Sequence, residues 1–421
     1  MPDMTISNLD IVAALLFATA IVHTFAGKLF ERLARRQPRH AGLYHLLGEV
    51  EVVFGFWAIV LVAAMALLAG PGEAIAYAES RQYTEPLFVF VVMVIAASRP
   101  VITVVAALIE LLARALPVHS GIARTWLLLA FVPLLGSLVT EPAAMTIAAL
   151  SLSGLVFRAG VPEWQKYLAL GVLFVNVSIG GTLTSYAAPP VLMVASAWQW
   201  DSAFMLANFG WKSAIAVLIN ASGATWVLRA ALRQPGPQTA AQAMPIPVWV
   251  TAVHLAFLAA VVLLAHHPVM FLGLFLMFLG YVQAYEKFQS PLILKEGLLV
   301  GFFLAGLVVL GGLQSWWLQP AMSSLSPTAL FFGAIGLTAI VDNAALTYLG
   351  TLIIGISDEA KYMLVAGAVA GGGLTVIANA PNPAGIALLK GGFNDQSIGA
   401  VGLLLGAAAP TVVAAAMLFL L

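Results

Sequence analysis

Apolar segments long enough to cross a bilayer, which takes roughly 20 helical residues, follow one another along almost the whole chain. Only 9% of the residues are charged, whereas soluble domains carry about 25%. The apolar runs are continuous, as in membrane helices, and do not alternate as barrel strands do. The sequence therefore predicts an all-α, multi-pass membrane protein surrounded by lipid, and we expect it in the plasma (inner) membrane.

Composition narrows the possible functions. The formal net charge is zero, which gives no basis for binding nucleic acid. The chain has no cysteine, so it forms neither disulfides nor thiolate metal sites. The zinc-protease HExxH and serine-protease GxSG patterns are absent, so neither an enzyme nor a bound cofactor is expected. No cleavable signal precedes the first apolar run, which is predicted to be a spanning helix.

A polar linker at 233–247 divides the chain into two halves, 1–232 and 248–421. Uninterrupted crossings are predicted at 9–29, 43–69, 86–113, 203–229, 248–265, 269–285, 292–313 and 398–420. In each half, two further apolar segments are interrupted near their centres by polar, Gly or Pro residues. These segments are 124–157 and 166–199 in the first half, and 328–356 and 361–391 in the second.

The positive-inside rule indicates how the interrupted segments cross the membrane. Segment 124–157 alone is compatible with one long helix, two helices or a re-entrant hairpin. If 124–157 and 328–356 are both hairpins, each half has five crossings, most Lys and Arg residues fall inside, and both termini lie outside (periplasmic). Because five is odd, the halves then face opposite ways, as in the inverted repeats of secondary transporters with broken helices at the midplane.

The two halves share a motif: an acid, then a Gly-Gly pair, then an Ala-Pro pair at identical spacing from the glycines. Its residues are Glu141, Gly180, Gly181, Ala188 and Pro189 in the first half, and Asp342, Gly372, Gly373, Ala380 and Pro381 in the second. Each copy puts a carboxylate near backbone that cannot stay helical. We interpret the two copies as one site built by an internal repeat.

Interrupted membrane helices favour cation binding. They leave backbone groups unpaired in lipid, which is costly unless the break lines a cavity or holds an ion. The nearby side chains offer oxygen ligands, which suit an alkali cation such as sodium and not a transition metal. The candidate cation- and proton-binding residues are Thr140, Glu141, Thr182, Thr184, Ser185, Asp342, Asn343, Asn379 and Asn382.

A carboxylate inside the membrane also binds protons. Its charged form costs roughly 2.5–3.5 kcal/mol or more at the bilayer centre, so it is protonated unless a cation is present. One group that binds either a proton or a cation is the minimal device for antiport. We expect Asp342 with Asn379 and Asn382 to form the stronger cation site, and Glu141 to exchange the proton.

Each motif also has a structural interpretation. Glu141-Pro142 is a common helix start, and Asp342 is a common helix cap. Gly-Gly pairs allow close helix packing, and Pro residues kink helices. The coincidence of these features in both halves favours a functional site.

Other polar residues leave alternatives open. Arg99, predicted in the middle of a crossing, is either a charge partner of Glu141 or Glu110 or part of a structural ion pair. Glu49 and Glu51 begin the second crossing and are either interfacial or part of a proton path.

The paired motifs resemble those of the ion transporter superfamily, which includes divalent-anion/sodium symporters and arsenite efflux pumps. They are most similar to a group of sodium/proton antiporters within it. The resemblance covers roughly 86–421 and rests on EPAAMT (141–146), GGTLTSYAAPP (180–190), VDNAALTYLG (341–350) and ANAPNPAG (378–385).

The resemblance implies two opposed re-entrant hairpins, two broken helices, a scaffold domain that often forms homodimers, and an elevator-like motion. By position, it places site residues at Thr140, Glu141 and 180–189, and at Asp342, Asn343 and 378–383. Sodium-coupled dicarboxylate members instead carry Ser-Asn-Thr signatures at these places. The acids here favour a cation, so we expect sodium (or lithium)/proton antiport; the alternative is a sodium- or proton-coupled transporter of anions or organic acids.

Overall fold

The computed structural model describes residues 7–234, 245–394 and 396–421. Residues 235–244 of the predicted linker lie outside this part of the chain. Within it, the chain forms helices joined by short turns, and the all-α prediction is confirmed.

The helices of the first half are α1 (Asn8–Thr24), α2 (Gly27–Arg36), α3 (Ala41–Gly48), α4 (Val50–Leu68), α5 (Pro71–Glu79), α6 (Thr84–Ala96), α7 (Arg99–Ala115), α8 (Ser120–Leu129), α9 (Phe131–Val139), α10 (Glu141–Ser153), α11 (Glu163–Gly180), α12 (Pro189–Trp198), α13 (Ser202–Met205) and α14 (Trp211–Leu232). A π-helical turn at Leu206–Gly210 joins the last two.

The helices of the second half are α15 (Val248–Leu263), α16 (Pro268–Ala284), α17 (Leu294–Gly311), α18 (Ser315–Ser323), α19 (Pro327–Thr338), α20 (Asn343–Thr351), α21 (Asp358–Gly371), α22 (Asn382–Leu389) and α23 (Ala400–Leu420).

Several helices are long and apolar enough to cross a membrane. Among the described residues there are six such segments, or seven if the bent pair α6–α7 counts as one span. The six are Glu51–Leu68, Ser120–Val139, Glu163–Leu183, Ser202–Leu232, Leu294–Gly311 and Ala400–Leu420. The chain is therefore a multi-pass membrane protein.

The crossing predicted at 86–113 is not one straight helix. It divides into α6 and α7, which meet at an angle of 64°. Ser98 is extended and precedes Arg99-Pro100, so Pro100 occupies the first turn of α7. The proline ring disfavours helical backbone in the residue before it and lacks an N–H for a continuing helix. Arg99, expected in mid-helix, therefore begins a helix.

The crossing predicted at 43–69 is also divided. Its backbone becomes extended at Glu49, between α3 and α4. The basic segment after α1 forms α2. The turns before 86 and after 313 contain the short helices α5 and α18, which we did not predict.

The interrupted segments turn where polar residues occur. The first tip (residues 140–141) joins α9 to α10, and Thr140 has a φ of 105°. This conformation costs a non-glycine residue of order 1–3 kcal/mol. The helices α9 and α10 pack side by side: a methyl group on Gly136 would lie 3.1 Å from Ala144 Cβ. The second tip (residues 339–342) joins α19 to α20 in the same way.

Two non-helical segments interrupt the next elements. The first break (residues 181–188) contains a 3₁₀ turn and extended backbone between α11 and α12. The second break (residues 372–381) separates α21 from α22 and contains a 3₁₀ turn at Val376–Ala378.

Buried side chains form two large cores that do not follow the two sequence halves. The first core is built mainly on α8, α10, α11, α14 and α23. The second core is built mainly on α4, α6, α16, α17 and α20. Elements from opposite halves pack together, α10 on α22 and α12 on α20. Ala143 belongs to the second core and its neighbour Ala144 to the first, so the first tip lies at the boundary between the cores.

Candidate functional site

Glu141 lies between the two breaks. It begins α10 and is completely buried. Asn379, in the second break, donates a hydrogen bond of 2.8 Å from Nδ2 to Glu141 Oε2. On the opposite side Oε1 faces Gly181: a methyl group there would lie 2.5 Å from this oxygen. A side chain at position 181 would therefore displace the carboxylate, which explains the glycine.

Asp342 begins the corresponding helix of the second half and is 7% exposed. Its Oδ1 accepts hydrogen bonds from the backbone N–H groups of Ala344 (2.8 Å) and Ala345 (3.3 Å). Asp342 is therefore a helix cap, while Oδ2 is not used in capping. Ala344 and Ala345 of α20 pack in the second core together with Ala143 of α10, so both acids lie at helix starts that border this core.

Asn343 connects the second tip to the first half. Its Nδ2 contacts Ser178 Oγ at 3.4 Å, and Ser178 in turn donates a hydrogen bond of 2.8 Å to the Val369 carbonyl. Gly372 lies against this pair, where a methyl group would come within 2.1 Å of Ser178 Oγ. The glycine therefore permits the close approach of α11, the second tip and the second break.

Asn382 closes the second break. Its Nδ2 donates to the carbonyls of Gly372 (2.8 Å) and Thr375 (2.9 Å), which the interrupted helix leaves without helical partners. Thr375 Oγ1 donates to the Ala339 carbonyl at 2.9 Å and holds the second break on the second tip.

Several buried oxygen atoms around the tips and breaks accept no hydrogen bond. Each of the three Asn residues uses Nδ2 as a donor, so its free atom is the amide oxygen. Among the described residues, the unpaired oxygens in this region are Thr140 Oγ1, Glu141 Oε1, Thr338 Oγ1, Asn343 Oδ1, Asn379 Oδ1 and Asn382 Oδ1. Buried polar atoms are otherwise nearly always paired. Carboxylate, amide and hydroxyl oxygens fit a hard cation such as sodium.

The first break is satisfied by hydroxyl groups. Ser137 Oγ donates to the Gly180 carbonyl at 2.6 Å and accepts from the Leu183 N–H at 2.9 Å. Thr184 Oγ1 donates to the Ser137 carbonyl at 2.6 Å, and Thr182 Oγ1 contacts the Ile179 carbonyl at 2.7 Å.

The remaining predicted site residues have mainly packing contacts. Ser185 contacts Ser202 Oγ through both its N–H and its hydroxyl, at 3.2 Å each. Gly180 lies against the Pro133 carbonyl and Gly373 against the Val175 backbone. Pro189 begins α12, and Pro381 immediately precedes α22.

Arg99 lies at the start of α7 and is half-buried. Glu110, one of its two predicted partners, forms ion pairs with Arg114 (3.2 Å) and Arg124 (2.9 Å).

Sequence reasoning missed Ser137, Ser178 and Thr338. Ser137 and Thr338 each stand four residues before a tip acid. A hydroxyl at the same place in both copies was the signal that could have found them. Ser178 lies two residues before the Gly180-Gly181 pair in an apolar run, and nothing in the sequence links it to Asn343.

No curated protein matches the chain. The family described as "Putative Na+/H+ antiporter" matches residues 8–421, a range that includes both tips and both breaks. Its description agrees with the resemblance drawn from the four motifs. The chain belongs to this Na+/H+ antiporter family.

Proposed function

We propose that the protein exchanges sodium or lithium ions for protons across the membrane by alternating access, with Glu141 binding either the cation or the proton. Family membership supports cation/proton exchange at a general level. The observation that carries the specific proposal is the environment of Glu141. Its carboxylate is fully buried, one oxygen is held by Asn379, and the other is unpaired.

The chemistry follows from competition at one group. An ionised Glu141 offers Oε1 to a cation, together with the free oxygens of Asn379 and Asn382. Without the cation, burial penalises the negative charge, and a proton takes its place. Because cation and proton bind the same carboxylate, they cross the membrane in opposite directions.

Asp342 would contribute the second negative charge. Two ionised carboxylates in one site would repel each other, and a bound cation would relieve this repulsion. An anionic substrate would meet two acids and a set of oxygen acceptors, which disfavours the anion-transport alternative.

The proposed motion uses the boundary between the cores. The first core would move as the transport unit in an elevator-like step, and the second core would be the scaffold that forms a homodimer.

The tips would be opposed re-entrant hairpins of an inverted repeat, with both termini outside the inner membrane. The packing of α10 on α22 and of α12 on α20 supports this arrangement, because each contact joins the two halves.

Proteoliposomes loaded with a pH-sensitive dye test the function. An inward gradient of sodium or lithium should drive proton efflux, and a choline gradient should not. Wild-type vesicles that show no cation-dependent proton movement over a range of pH would overturn the proposal. A flux that persists unchanged in Glu141→Gln would overturn the role of Glu141.

A further inference from the structure

A small cavity reaches Asp342 from the second core, and its volume of about 10 Å³ is roughly what one water molecule needs. Its walls include Thr24 of α1, Phe54 of α4 and Phe303 of α17, together with Asp342 itself. The rings of Phe54 and Phe303 pack edge to face with their centroids 5.3 Å apart. Asp342 therefore has an opening beside it, whereas Glu141 is completely buried.

Glu51 lies one turn before Phe54 on α4. The spacing of three residues puts both on the same face of the helix. Glu51 is half-buried. Phe54 forms part of the cavity wall. One turn earlier on the same helix face stands Glu51, a carboxylate that is not part of either motif.

An ion pair at the same end of α4 leads to the protein surface. Lys295 of α17 contacts Glu49 Oε1 at 3.0 Å, and the Lys295 side chain is 67% exposed. Glu49 directly precedes α4 and stands two residues before Glu51. The ion pair, Glu51 and the cavity wall at Phe54 therefore follow one another along the start of α4.

The other ionisable groups near this end have different surroundings. His23 of α1 accepts a hydrogen bond at Nδ1 from the indole N–H of Trp57, so its Nε2–H donates to the Leu47 carbonyl, each at 3.0 Å. Both ring nitrogens are thus occupied in the neutral form. His45 and Glu296 are exposed. Glu51, like Glu49, is half-buried, and it lies one turn from the cavity wall at Phe54.

We propose that Glu51 is an access carboxylate, which relays protons and attracts monovalent cations between the Glu49–Lys295 pair, whose lysine is exposed, and the cavity at Asp342. The inference rests on the proposed exchange function. It adds the route by which protons and cations would reach Asp342. The rings of Phe54 and Phe303 carry no oxygen ligand and no exchangeable proton. A carboxylate one turn along α4 can supply both.

Cysteine labelling tests the path without measuring transport. The chain has no cysteine of its own, so a single introduced thiol reports alone. Thr24→Cys lines the cavity, and Ala20→Cys, one turn earlier on α1 and fully buried, is the matched control. A charged, membrane-impermeant thiosulfonate should label Thr24→Cys much faster than Ala20→Cys, and from one side of the membrane only. Equally slow labelling of both variants would overturn the access path.

Exchange measurements test Glu51 itself. Glu51→Gln should slow exchange by about a hundredfold or more, as expected when a positioned proton-transfer group is lost, and should shift its pH dependence. Sodium binding at equilibrium should be retained. Glu296→Gln, an exposed acid at the start of α17, should behave like wild type.

The outcomes separate the two proposals. If wild type exchanges cations for protons and Glu51→Gln does so at the same rate with the same pH profile, the access role is overturned and the exchange function stands. If wild type exchanges neither sodium nor lithium for protons, the exchange function is overturned. Rapid one-sided labelling of Thr24→Cys would then still support the cavity as a path to Asp342.

Discussion

The two copies of the motif use their polar groups differently. In the first copy, hydroxyls satisfy the broken backbone, and the acid Glu141 reaches across to the second break. In the second copy, the amide of Asn382 satisfies the broken backbone, and the acid Asp342 caps its own helix. Identical spacing therefore does not mean identical roles. The candidate site combines an acid from one copy with amides from the other.

The chemical difference between hydroxyl and amide explains this division. The hydroxyls of Ser137 and Thr184 donate their only proton to backbone carbonyls. An amide that donates through Nδ2 still carries a separate carbonyl oxygen. Asn382 therefore closes the backbone and leaves Oδ1 free for a cation, as Asn379 does while holding Glu141.

The largest effect on exchange is expected at Glu141, the acid that joins the two copies. Glu141→Gln keeps the size of the side chain and removes its charge and its exchangeable proton, so we expect cation/proton exchange to be abolished. Dye-loaded proteoliposomes measure this. Glu73→Gln, in the exposed first turn of α5, should retain full exchange. Exchange at the wild-type rate in Glu141→Gln would mean that another group carries the proton.

Two substitutions separate the cap from the charge at Asp342. Asn caps helices about as well as Asp does, so Asp342→Asn should keep the melting temperature. It should reduce exchange by at least about tenfold, the lower end of the cost of a lost supporting group at a metal site. Asp342→Ala should also destabilise the protein by about 1 kcal/mol, the typical value of a lost N-cap. If Asp342→Asn exchanges normally, Asp342 is only a cap.

Asn379 tests the contact between the copies. Asn379→Ala removes a hydrogen bond to a charged group, worth roughly 1.5–3 kcal/mol. Apparent sodium affinity should therefore fall by about 10- to 100-fold, since each 1.4 kcal/mol is a factor of ten. Asn208→Ala, whose amide donates to the Phe204 carbonyl one helical turn earlier, is the control. Unchanged affinity in Asn379→Ala would remove the second break from the site.

The smallest effects should distinguish Ser137 from Thr338, the hydroxyls at matching positions of the two copies. Ser137→Ala loses two hydrogen bonds and should lower stability by about 2 kcal/mol at about 1 kcal/mol each, with little change in sodium affinity. Thr338→Ala loses an unpaired oxygen and should weaken sodium binding with little change in stability. Thermal unfolding and sodium titration of both variants decide this. The reverse pattern would contradict the division of roles.

The sequence predicts the fold class well because the constraint is strong. A chain this apolar has to satisfy its backbone in lipid, and helices do so within each segment. The interruptions at Gly-Gly and Pro can also be predicted from the sequence. The bend at Ser98-Arg99-Pro100 has a sequence signal too, because proline restricts the residue before it, but the long apolar run of 86–113 favours one helix.

The site could be predicted only in part. Glu141, Asp342, Asn379 and Asn382 were readable as polar groups in apolar surroundings. The hydrogen-bond partners of these residues could not be predicted, because the spacing of residues within one half does not show which residues of the other half lie opposite them. We grouped Asn379 with Asp342, whereas the structure bonds Asn379 to Glu141. The contact of Asn343 with Ser178, 165 residues apart in sequence, depends on the same packing.

Proton release on sodium binding tests the central claim most directly. Purified protein in weakly buffered detergent solution is titrated with sodium while the pH is recorded, and sodium affinity is measured over a range of pH. If Glu141 binds either ion, sodium should release protons and should bind more weakly as the pH falls. Glu141→Gln should show neither effect. Sodium binding that releases no protons, or that has the same pH dependence in Glu141→Gln, would contradict exchange at this carboxylate.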